Sequence, residues 1–202
     1  MAVDVQRVIL NAIDLLRSCI MNTLKNILLR ATVLLGISLC GCSKPSASMT
    51  TELKYYPADN MDGLISRKDI TLDKKVSVDG NDSLRITVSE PTTIRLYETG
   101  DLNVENVIII YKAQLRTHNL DGKAHLEMLC QFPDRGEFFS RNLQSPISGT
   151  QKWSRKETPF ILGDGENPNN IRLNLLIDGK GTVWIDDIHL ISIPAPSGMS
   201  KT

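Results

Sequence analysis

From residue 104 onward, apolar and polar residues keep alternating, and a period of two confines such a chain to strands with one face buried. The segment "VENVIIIYKAQLRTH" (104–118) opens as an apolar run. It then sets Tyr111, Ala113 and Leu115 against Lys112, Gln114 and Arg116. "KAHLEMLCQF" (123–132) puts Ala124, Leu126, Met128, Cys130 and Phe132 on one side, with His125, Glu127 and Gln131 on the other. "IRLNLLI" (171–177) opposes Ile171, Leu173, Leu175 and Ile177 to Arg172 and Asn174. In "TVWIDDIHLISI" (182–193), strict alternation groups Trp184 and Asp186 with Ile188 and Leu190, which sends Trp184 inward. "NLDG" (119–122) and "DGKG" (178–181) read as turns between separate strands, and Glu90-Pro91 divides "SLRITVS" from "TTIRLYET". Helical periodicity is hard to find after residue 50, and 202 residues suffice for one well-filled core. The expectation is an all-β, two-sheet sandwich over 55–193 with a loose tail at 194–202.

The N-terminal fifth obeys a different rule. Lys25 and Arg30 precede the apolar run "ATVLLGISL", which ends at Leu39-Cys40-Gly41-Cys42. A basic flank, a short apolar stretch and a small residue before a cysteine resemble the lipobox of a bacterial lipoprotein signal. The run falls short of the ~20 apolar residues that a membrane-spanning helix needs. The resemblance makes 21–41 a signal peptide and Cys42 the acyl acceptor, with Cys40 a rival, and 42–54 a Ser/Thr-rich tether. Ser43 in place of an Asp favours the outer membrane of the envelope as the anchored site. Residues 1–20 carry helical spacing with Asp4 and Asp14, unlike a basic signal start. "MNTLKNILLRATVLLGISLCGC" is complete by itself, so translation is expected to begin at Met21.

The order "VSVDGNDSLRI" (76–86), "GTQKWSRKETPFIL" (149–162) and "IRLNLLIDGKGTVWIDDIHL" (171–190) resembles the jelly-roll, galactose-binding-like fold of many carbohydrate-binding modules. The resemblance covers about residues 55–193. It implies a glycan or cell-wall polysaccharide ligand, a structural Trp153, and a structural calcium held by Asp186 with Asp79 as a further oxygen donor. The alternative for Asp186 is a carboxylate that accepts backbone N–H bonds or pairs with an arginine.

If the strands pair in one concave sheet, Lys112, Gln114, Arg116, His125, Glu127, Gln131, Arg172 and Asn174 form a polar groove. Arg116 and Arg172 could then grip a carboxylate. The alternative is an ordinary solvated sheet face. Trp153, Trp184, Phe138 and Phe139 are the aromatic candidates for stacking on sugar, and alternation sends one of the two phenylalanines inward. Lys and Arg together equal Asp and Glu at 23 each, which gives no electrostatic case for nucleic acid. His118, His125 and His189 have no metal-hydrolase spacing, and no nucleophile elbow is present. Glu127 and Glu137 would make a glycosidase pair only at a fixed separation. The reading is a non-catalytic, lipid-anchored envelope protein that binds glycan; the alternative is an envelope lipoprotein whose sandwich contacts another protein.

Overall fold

A computed structural model describes residues 50–195, so the expectations for residues 1–20, the signal at 21–41, Cys42 and the tail beyond 195 lie outside the described residues. Eight strands follow in order: β1 (Thr51–Tyr56), β2 (Ile70–Asp73), β3 (Ser83–Val88), β4 (Thr92–Glu98), β5 (Val107–Phe132), β6 (Gly136–Arg141), β7 (Ile147–Leu162) and β8 (Asn170–Pro194). The sandwich begins inside the stretch expected to be tether, because Thr51 and Glu52 already pair with Ser192 and Ile191.

Two strands organise everything else. β5 and β8, 26 and 25 residues long, pair antiparallel along their whole lengths, from Val107 opposite Pro194 to Gln131 opposite Asn170. "NLDG" and "DGKG" are therefore not hairpin turns. They lie opposite each other, with Asp121 facing Lys180 and Gly122 facing Gly179, and there the paired ribbon bends from one layer into the next. The bend needs glycine. Gly122 and Gly179 have φ of +124° and +154°. A Cβ on either would collide with a carbonyl oxygen of the opposing strand, that of Asp178 or of Asp121. The Asp-Gly dipeptide serves a hairpin and a bent ribbon alike, since both require a residue without a Cβ.

On one side of the bend, the 107–118 half of β5 lies between β7 and the 182–194 half of β8. β3 and then β1 share the far edge of that half of β8, and β2 adds to β3. This is the first sheet. On the other side, the order is β4, the 170–177 half of β8, the 123–132 half of β5, and β6. The inward residues are those the alternation assigned: Tyr111, Ala113 and Leu115 from one layer, and Leu126, Met128, Cys130, Leu173 and Leu175 from the other, with Ile109 of the apolar run joining the first. Each fully buried Leu or Ile contributes roughly 1.5–3 kcal/mol by leaving water. Burial pushes the Cys130 thiol up to about 12, so it packs as an inert apolar group. At one open side, Ser140 of β6 bonds Thr158 of β7 at 2.8 Å and joins the layers edge to edge.

The last strand departs from strict alternation. Val183 and Ile185 point inward, and so do Ile188 and Leu190. One extra residue is absorbed at Asp186-Asp187, where Asp187 has φ of +52° and the register against β5 slips between Gln114 and Lys112. This bulge corrects the expected side of Trp184, which stands on the outer face.

Ala at 122 or 179 should cost at least about 3 kcal/mol or prevent folding, whereas Gly100→Ala, with open space around it, should cost only about 1 kcal/mol. Urea denaturation of the three variants checks this, and equal midpoints would contradict the close crossing.

Candidate functional site

The bend divides the expected polar groove. Lys112, Gln114 and Arg116 lie on the outer face of the first sheet, while His125, Glu127, Gln131, Arg172 and Asn174 lie on that of the second. Turned to opposite sides of the sandwich, the two groups cannot meet one ligand. Arg116 and Arg172 consequently do not grip a shared carboxylate.

The second sheet carries the more developed face. Register places Thr93, Leu176 and His125 in one row across the strands, and Arg95, Asn174, Glu127 and Arg141 in the next. A cavity of about 650 Å³ opens over the first row, lined by Thr93 of β4, Leu176 and Asp178 of β8, His125 of β5, and Arg141 and Leu143 at the β6 end. Four strands side by side span ~14 Å. The cavity thus forms a trough that runs from β4, over a floor of β8 and β5, to the β6 end.

Its polar groups hold one another in place. Glu127 is 7% exposed and binds the Arg141 guanidinium through Oε2, while Oε1 accepts from Asn174 Nδ2 at 3.1 Å. Both oxygens of this buried carboxylate are thus hydrogen-bonded within the protein. Asn174 Oδ1 is buried with no partner. Arg172 pairs with Glu137 farther along, so two of the three arginines of this face are matched by carboxylates, while exposed Arg95 on β4 makes no ion pair among the described residues. Burial, then the nearby Arg141 and Lys123 charges, lower the His125 pKa against the opposing bond to the Asn142 carbonyl, which favours the neutral imidazole. In the tautomer that donates from Nδ1 to Asn142 O at 3.4 Å, Nε2 is left as an acceptor.

Aromatic supply is narrow. Phe139 is 65% exposed beside this face, with the Arg141 guanidinium carbon 5.4 Å from its ring centroid. Phe138 takes the other side of β6, opposite buried Cys130 and edge-on to Phe132 at 5.8 Å, as the alternation expects, yet stays partly exposed at the sheet edge. Trp153 is half-buried on β7, and Trp184 is covered on the opposite layer. Arg141 and its pairing went unrecognised in the sequence, where "GEFFSR" shows no alternation to mark it. Glu127 and Glu137 sit four register positions apart along the ladder, roughly 13 Å, beyond the ~9.5 Å reach of a glycosidase acid–base pair. Each is also engaged by an arginine.

Asp186 is 2% exposed at the bulge. Its Oδ2 accepts from Val78 N and its Oδ1 from Asp187 N, both at 2.8 Å. Burial foremost, with Asp79 and Asp59 adding repulsion against these two bonds, raises its pKa to about 6. Asp79 is turned onto Asn81, accepting from its backbone N and side-chain Nδ2. Among the described residues no three acidic, His or Cys side chains gather as a metal site. Each Asp186 oxygen keeps a lone pair beyond its one backbone N–H bond, so a calcium ion could be held there once Asp79 turned toward it from Asn81.

No protein-family model matches the chain, and no curated protein matches it in sequence. Solved structures do match in fold. The CBM22-1 xylan-binding domain of Paenibacillus barcinonensis Xyn10C is 15% identical with a TM-score of 0.54, covering 75% of this chain and all of that one. The CBM22-1–GH10 modules of the Clostridium thermocellum xylanase Xyn10B, solved with xylohexaose, are 13% identical with a TM-score of 0.54, over 76% of this chain and 30% of that one. A family 16 carbohydrate-binding module is 14% identical with a TM-score of 0.50, over 64% and 91%. At these identities the likeness establishes the fold, an all-β sandwich of the carbohydrate-binding-module type.

Because the Asp186 pKa lies above the ordinary ~3.9 of an unfolded Asp, the folded state holds more protons between those values, and stability falls as pH rises through about 6. Asp186→Asn should remove that dependence. With chelator present, the variant's unfolding free energy, read from melting curves, should gain on the wild type from pH 4 to 7 by an amount on the order of 2 kcal/mol. Without chelator, a calcium-induced rise at pH 7 that the variant lacks would instead place a metal there.

Proposed function

We propose that this chain is a non-catalytic glycan-binding protein whose ligand, an extended neutral polysaccharide, lies in the trough of the second sheet. The observation that carries the reading is the cavity on the outer face, beside which Glu127 is held to Arg141 and Asn174, and Arg172 to Glu137. Arg141 and Arg172, already matched by carboxylates, have little to offer an anionic ligand, but their remaining N–H groups and the lone pairs of the paired carboxylates suit hydroxyls. The neutral acceptor on His125 and the exposed ring of Phe139 add a hydrogen bond and a stacking face. Support also comes from the neighbours of the same fold: one is described as xylan-binding, and another was solved with a xylose oligomer. Asp178 and Thr93 at the cavity wall supply further polar contacts along a bound chain.

The same proposal includes an acyl anchor on Cys42 and residence in the bacterial envelope, with the outer membrane favoured by Ser43. It rests on the signal-like stretch before Cys42. A structural calcium at Asp186 and Asp79 is a separable part, decided by the melting experiment above.

A glycan array probed with the full chain should show neutral β-linked polysaccharides retained. Phe139→Ala should weaken binding about tenfold, worth ~1.4 kcal/mol, at unchanged melting temperature. Arg116→Ala should leave that binding unaltered, since it lies on the other layer. An array without any retained glycan would sink the reading and favour a protein partner, for which exposed Phe138, Phe139 and Leu143 provide an apolar edge. For the anchor, labelled palmitate should enter the wild type and Cys40→Ser but not Cys42→Ser, and equal incorporation in all three would reject Cys42.

A further inference from the structure

The outer face of the first sheet, on the side opposite the trough, is chemically its inverse. Trp184 lies directly between Arg85 of β3 and Arg116 of β5 in the ladder. Both guanidinium carbons sit 5.6 Å from the indole centroid, so the two planar cations lie against one ring and leave it 7% exposed. Indole Nε1 donates to Asp73 Oδ2 at 2.8 Å, which fixes the ring. Asp73 spends its other oxygen on the backbone N–H groups of Lys75 and Val76. It lowers no further charge by a direct ion pair: among the described residues, neither Arg85 nor Arg116 has a carboxylate partner. Lys112 and Arg155 flank Gln114 on the same face, also without ion pairs, and Glu157 opposite Lys112 is the nearest acid along β7.

Stacking consumes the flat faces of a guanidinium and leaves its rim of N–H donors available. From these observations we infer that this face binds an anionic polysaccharide, one that carries carboxylates at intervals along an extended chain. Arg85 and Arg116 stand two strand spacings apart, ~10 Å, so a single small anion engages one of them while a polymer engages both. The cations lie along the sheet rather than projecting from it, and the only indole between them is covered. The exposed ring on this face, Tyr55, lies farther along β8 and is stacked on His189. A polymer lying flat across the strands fits that geometry. The site is independent of the trough: its ligand is charged where the other's is neutral, and the two lie on opposite layers.

Affinity electrophoresis of the full chain through gels containing polygalacturonate or its methyl ester tests this directly. The wild type should be retarded by the free acid and not by the ester, and the retardation should vanish at about 1 M salt, where the Debye length is about 3 Å. Arg85→Gln with Arg116→Gln should weaken it about tenfold, and the Lys–Lys pair should recover part of the loss, because charge without the planar fork retains only part of the contact. Since uncovering Trp184 could disturb folding, the exposed Arg155→Gln serves as a second variant, expected to weaken binding about threefold through lost attraction alone. Phe139→Ala should change nothing here, which separates this site from the trough. Equal retardation by acid and ester, or full retention in both Gln variants, would overturn the inference. So would binding to phosphatidylglycerol vesicles with no retardation by polygalacturonate, which would make the face a membrane-docking surface.

Discussion

The crossing of two backbones at Gly122 and Gly179 is the constraint on which the molecule turns. Only where both residues lack a Cβ can β5 and β8 stay hydrogen-bonded while they pass from one layer to the other. A pair of separate hairpins would give the same count of strands, but each layer would then need its own register. Here one ladder sets the register of both. Every outward side chain on the central strands of either face is placed by the same run of alternating residues, and its neighbours follow from the pairing of β3, β4, β6 and β7 onto that ribbon.

The two outer faces show how one ribbon yields different chemistry. On the second sheet, cations and carboxylates are neighbours across the ladder, and Glu127 buried between Arg141 and Asn174 fixes all three side chains. Breaking such a set by removing one member leaves a buried charge uncompensated, so the network is stiff by necessity. On the first sheet, the central position is an indole, and it separates the arginines on either side instead of neutralising them. Pairing and stacking both immobilise a guanidinium. The first also cancels its charge, and the second does not.

Most of the core was legible in the sequence because alternation is a direct imprint of the pleat: Tyr111, Leu115, Met128 and Leu173 are all buried where the period put them. What was not legible was any feature in which two structures share one local chemistry. Asp-Gly marks a tight turn and a bent ribbon equally. The doubled Asp186-Asp187 hides a bulge, which a strict period of two carries straight through, and Trp184 was therefore assigned to the wrong side. The polar candidates were individually outward, as expected, but their division between two faces depends on the bend and could not be read locally. Arg141 was missed since its partner Glu127 lies across a turn, and only strand register brings the two together.

β1 offers a mechanical reading of the same architecture. Its only strand partner is the end of β8, where Glu52 and Asp187 both bond the His189 ring and Tyr55 stacks on it at 4.6 Å. Any tension applied upstream of Thr51 enters the sandwich through that strand and passes into β8. Because β8 runs unbroken through both layers, the load travels along a single covalent backbone to the floor of the trough. A cargo dragging on the trough would thus stretch one continuous cable instead of prying the layers apart.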